Sequence, residues 1–98
     1  MEFINEVDVT ESEKAQQALA ALASAETAAP DAALQILNGL LGLVQSQGGD
    51  ESIEVDEARA GAFLAICEVG KALHRQQPVG PLWAAAIAAT KRWTALAG

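Results

Sequence analysis

The chain has 98 residues, half of them apolar, and a formal net charge of −7 at neutral pH. That length fits one domain, residues 1–98 taken together. The acidity argues against direct nucleic-acid binding, because most of the surface would repel phosphates. The longest apolar helical run, around Gly39–Val44, is far shorter than the ~20 residues a bilayer span requires.

Much of the apolar half is alanine, which buries little area per residue. A monomer of this composition has a thin core for its size, which favours a partner or a second copy. Alanine and leucine richness also points to a GC-rich bacterial or phage source.

The first nine residues, "MEFINEVDV", carry no cation and no secretory apolar core, so they read as a flexible or extended lead-in, not a signal peptide. Val7 and Val9 alternate with acids as a short strand would, and "SIEV" at 52–55 has the same character. Together they suggest a very small two-stranded patch.

Thr10 opens "TESE", with Glu13 three residues on, which is a capping box. A helix is expected from Ser12 to Ala28, with Ala15, Ala18 or Leu19, Leu22 and Ala25 on its buried stripe. Pro30 suits the first turn of a second helix and Asp31 complements its positive end. That helix carries Leu34, Leu37, Leu41 and Val44 on one face, widened by Ile36, Leu40 and Leu43. Gly39 and Gly42 weaken it and admit another backbone. "GGD" at 48–50 ends it.

Asp56 is the expected N-cap of a third helix reaching Gln76, with Ser52 as the alternative. Ala62, Phe63, Ile66, Val69 and Leu73 form one face, and Leu64 and Cys67 another. A helix apolar on nearly every side is expected to be the most buried. "QQPVGP" breaks it, and Pro81 starts a fourth helix running to about Ala97. There the expected buried stripe is Leu82, Ala86, Ala89, Trp93 and Leu96, with Trp83, Ile87 and Thr90 beside it. Four helices with short connections make an all-α compact bundle.

Residues 1–57 hold twelve acids and one base; residues 58–98 hold one acid and five bases. The two halves are therefore expected to attract each other within the fold, with two functional faces of opposite sign as the alternative.

Little chemistry is available to an enzyme. Cys67 and His74 are the only thiol and imidazole, and seven residues of helix separate them by ~10 Å, too far for a direct bond. No second histidine or paired cysteine motif offers a metal site. "DESIEVDE" lacks the glycine and distal glutamate of a calcium loop. No catalytic residue, cofactor or metal is expected. The lone cysteine fits a reducing compartment, here taken as the cytoplasm.

"GGDESIEV" resembles the Asp-Ser-Leu start of the second helix in acyl carrier proteins, which are also small, acidic and helical. Here Glu51 stands between Asp50 and Ser52. That resemblance implies a carrier role for Ser52.

The reading that the residues themselves favour is a protein–protein interaction module that binds and regulates or inhibits a partner. Antiactivators, immunity proteins, antitoxins and phage inhibitors share its size and charge. A self-assembling structural protein is the rival, and a homodimer is expected. The candidate contact residues are Leu40 and Leu43 on the second helix and Trp83, Ile87, Lys91 and Arg92 on the fourth, with Trp83 at the bundle's margin.

Overall fold

The structure, a computed structural model, describes residues 10–45 and 52–97. They form four α-helices and no strand: α1 (Glu11–Glu26), α2 (Pro30–Gln45), α3 (Ile53–His74) and α4 (Gly80–Ala97). α1 packs on α2 and α4, and α3 packs on the same two. Each helix therefore has two neighbours, while α1 and α3 face each other across the diagonal, as do α2 and α4. The short connections at 27–29 and 75–79 reverse the chain between neighbours. The start of α1, the start of α3 and the end of α4 consequently share one end of the bundle.

The helix ends follow local chemistry. Thr10 Oγ1 accepts from Glu13 N at 3.1 Å, and Glu13 Oε1 accepts from Thr10 N at 3.0 Å, so both halves of the capping box are present. α3 begins earlier than Asp56. Ser52 is its N-cap, with Oγ accepting from Val55 N at 3.2 Å, and Asp56 lies in the first turn. Ile53 and Val55 are thus helical and not part of a strand; Val7 and Val9 lie outside the described residues, as does the 48–50 stop. α3 closes on Arg75. Gln76 N donates to Leu73 O and Gln77 N to Ala72 O, a Schellman closure that places Gln76 at φ 58°.

The core is built from small residues with a few large ones set between them. Ala15, Ala18, Ala25, Ala33, Ala62 and Ala86 are all almost wholly buried, around Leu22, Leu37, Ile66, Val69 and Trp93. Alanine at the contact positions brings helix axes close and lets neighbouring large side chains interdigitate. α1 buries the stripe expected of it.

The other helices are rotated from expectation. α2 buries Ala33, Leu37, Leu40 and Val44, leaving Leu34 and Leu41 half-buried on the side toward α3. α4 buries Trp83, Ala86, Thr90 and Trp93, while Leu96 is 39% exposed. Trp83 thus belongs to the core and not to the margin. Gly39 and Gly42 face solvent, and a Cβ added at either would meet nothing within 4 Å. They serve no close approach inside this chain.

α3 departs most. Its inner stripe is Val55, Ala58, Ala62, Ile66, Val69 and Ala72, but Phe63 and Leu73 are only half-buried and Leu64 is 64% exposed. A helix with two neighbours has no third surface against which to bury the rest of its circumference. α3 is therefore not the wholly enclosed element its composition suggests. No described helix is long and apolar enough to cross a membrane.

Candidate functional site

Two regions gather chemistry. The first is a polar knot at the end shared by α1, α3 and α4. The Glu11 carboxylate is buried, its side chain 5% exposed. Arg59 Nη1 donates to its Oε2 at 2.6 Å, and the Trp93 indole Nε1 donates to the same oxygen at 3.0 Å. Arg59 Nη2 donates to Asp56 Oδ1 at 2.7 Å, which fixes the guanidinium from its own helix. Glu11 Oε1 accepts no hydrogen bond among the described residues and lies 4.0 Å from Lys14 Nζ. Charge-assisted bonds of this geometry are strong when water is excluded. The knot crosses the bundle diagonal from α1 to α3 and ties both to α4. It joins two acids of the acidic half, Glu11 and Asp56, to one base of the basic half, Arg59.

The Glu11 carboxylate is shut off from solvent, while Asp56 is exposed and Arg59 partly so. Glu11 Oε2 is satisfied by Arg59 and Trp93, while among the described residues Oε1 has only the Lys14 ammonium nearby, at 4.0 Å. The chemistry of the knot is structural.

The second region is the side of the bundle along α2 and α3. Three hollows lie in a row there. The central one, about 460 Å³, has an apolar floor of Leu34, Leu37, Leu41 and Cys67. Its rim at the end of α3 carries Lys71, His74 and Arg75, and no acid lines it. A hollow of about 330 Å³ lies toward the start of α3, beside Val44, Phe63 and Leu64. The third, about 510 Å³, lies toward the start of α2, under Leu34, Leu73 and Val79. Ile53 and Leu64, 76% and 64% exposed, are the two most exposed large apolar side chains described, and both are on α3.

Cys67 and His74 both border the central hollow, so the fold does bring them to one place. Among the described residues no group of three His, Cys, Asp or Glu side chains could hold a metal. Ser52 is exposed, with its hydroxyl oxygen engaged in capping α3.

The six contact residues expected from sequence do not converge. Trp83 is 6% exposed and Leu40 3%, so both are core and neither presents a surface to a partner. Leu43 and Ile87 are half-buried against that core, on helices that lie across the diagonal from each other. Lys91 and Arg92 are exposed near the end of α4. The physical reason is periodicity. Trp83, Ala86, Thr90 and Trp93 follow three-four spacing as well as the rival stripe does, and the larger rings take the interior.

What sequence reasoning missed is the Glu11–Arg59–Trp93 knot and the open side of α3. Nothing local links residues 48 and 82 positions apart. The α3 pattern was visible as a second apolar face at Leu64 and Cys67, but its exposure was not. No family model, curated protein or solved structure matches the chain.

Proposed function

We propose that this chain is a small acidic interaction module that binds and regulates or inhibits a partner protein, acting as a binder and not as an enzyme. The supporting observation is the α2–α3 side: a row of hollows with apolar floors, open to solvent, flanked by exposed Leu64 and Ile53. Apolar surface left open beside hollows of this size is a candidate interaction site. The Lys71 and Arg75 cations on the rim of a chain of net charge −7 add charge selectivity, which governs partner choice and encounter rate. The proposal carries a cytoplasmic location, on the ground of the single unpaired Cys67.

The test is a comparison of baits in the source organism's lysate. Wild-type chain is set against Leu41→Arg and Leu64→Arg; Leu64 is exposed and Leu41 half-buried beside the core, so circular dichroism of both variants checks that folding is retained. A partner captured by the wild type must also bind it as purified protein, and both variants must weaken that binding tenfold or more. A partner that binds all three equally would refute the α2–α3 side as the contact.

A further inference from the structure

α3 turns a second stripe away from the core. It runs Ile53, Glu57, Ala60, Leu64, Cys67, Lys71 and His74, in alternating steps of four and three residues. That spacing keeps a row of side chains aligned along one side of a helix and is the pattern of a two-helix seam. All seven are exposed or, at Cys67, half-buried. The two most exposed of the large apolar residues described, Ile53 and Leu64, both lie on it.

The charge along α3 changes sign about its middle. Glu54, Asp56 and Glu57 precede Leu64, where the one cation, Arg59, is turned to Glu11 and Asp56; Lys71, His74 and Arg75 follow it, and the intervening Glu68 pairs with Lys71 at 3.3 Å in an exposed contact. α3 spans Ile53–His74, so Leu64 sits at its midpoint. A stripe that is apolar and small at the centre, acidic at one end and basic at the other complements itself when turned end for end. We propose that two copies of this chain pair through antiparallel α3 helices, with a two-fold axis at Leu64.

This proposal rests on the binding reading above and assigns one partner to the α3 edge of that side: a second copy. The register follows from the axis. Leu64 meets the partner's Leu64, and Ala60 meets the partner's Cys67. Glu57 meets the partner's Lys71, and Ile53 meets the partner's His74. Ala60 and Gly61 beside the axis carry little bulk, so the helices can approach closely. Antiparallel alignment also sets each acidic, positive-dipole helix start against a basic, negative-dipole helix end. A parallel pair would instead oppose like charges at Glu57 and at Lys71. The Glu68–Lys71 contact is solvent-exposed and costs little to exchange. One helix pair about 33 Å long buries less than a standard interface, so the dissociation constant is on the order of 10 μM or weaker and rises with salt.

Sedimentation equilibrium on the full chain tests it through two opposite charge reversals. Glu57→Lys alone and Lys71→Glu alone should each weaken self-association about tenfold or more, since each places like charges in two symmetric layers. An equimolar mixture should recover the dimer mass, because both layers of the mixed pair are then attractive. Both positions are exposed, so folding is retained and circular dichroism checks it. Independently, Leu64→Cys in a Cys67→Ser background should give a disulfide-linked dimer on mild oxidation. Native Cys67 should not, because two copies of it stand ~9 Å apart along the seam. A wild type that stays monomeric at ~1 mM overturns the self-pairing, and so does a dimer indifferent to both reversals. Either result leaves the partner-binding reading to its own Leu41→Arg and Leu64→Arg comparison; if those variants also change nothing, both readings fall.

Discussion

Glu11 and Lys71 are both charged side chains on helices of the same small bundle, and the fold treats them differently. Glu11 lies inside, at the end where α1, α3 and α4 meet, with Arg59 and Trp93 donating to one of its oxygens. Lys71 stands on the open α2–α3 side, paired among the described residues with its neighbour Glu68 in a contact where both side chains are more than half exposed. In the first region charge is excluded from water and fixes how three helices dock. In the second it stays hydrated beside unfilled apolar hollows. A charge satisfied internally is removed from recognition, whereas a hydrated one beside exposed leucine remains available to a partner. The difference separates the charge that fixes how the helices dock from the charge that stays in solvent.

The largest loss of stability is expected at the knot. Arg59→Met leaves the buried Glu11 carboxylate with the indole donor and the Lys14 ammonium 4.0 Å away, and removing one member of a buried pair costs ~3–5 kcal/mol. Glu11→Leu combined with Arg59→Met should cost less than the sum of the two single changes, since neither charge is then stranded. Urea denaturation of the three variants measures this. A single-variant loss under ~1 kcal/mol would mean the knot is as dispensable as a surface ion pair.

A second contrast lies within α3 itself. Ile66 is fully buried, and Ile66→Ala should cost ~2–5 kcal/mol through lost contacts and the cavity left behind. Leu64→Ala, two residues away but outward-facing, should change the stability of the monomer by no more than ~0.5 kcal/mol. Half-buried Leu73 should fall between them. The same denaturation experiment at low protein concentration checks all three, and equal costs at 64 and 66 would erase the distinction between inner and outer stripes.

The smallest effects belong to the helix ends. Thr10→Ala removes one half of the capping box and should cost ~1 kcal/mol. Gln76→Gly should instead stabilise by ~0.5–1 kcal/mol: it relieves a left-handed backbone that a side chain disfavours, offset in part by the added freedom of the unfolded chain. Thermal melts of the two variants should shift in opposite directions. A downward shift for Gln76→Gly would show that its side chain contributes more than its backbone strain costs.

Where helices begin and end was largely legible in the residues. Thr10 with Glu13, Pro30 in its first turn, and the break before Pro81 all act through contacts within four positions, so local sequence is enough to place them. The exception is instructive: Ser52 displaced Asp56 as the α3 cap because both are good caps within one turn, and only the geometry decided between them. The candidate site was much less legible. Of the residues expected to meet a partner, Trp83 and Leu40 turned inward, while the open seam lies mainly on α3, which had read as the most enclosed helix.

The sequence by itself determined four helices, the α1 stripe and the segregation of acid from base along the chain. Tertiary structure alone decided the rotation of α2, α3 and α4 about their axes, the long-range partners of Glu11, and the exposure of Leu64. The physical reason is degeneracy. Alanine- and leucine-rich helices carry two or more stripes of similar apolarity, so hydrophobic periodicity allows several rotations. The choice among them depends on how side-chain volumes fill the space between neighbours, with Trp93 and Trp83 taking the interior that smaller residues would leave empty.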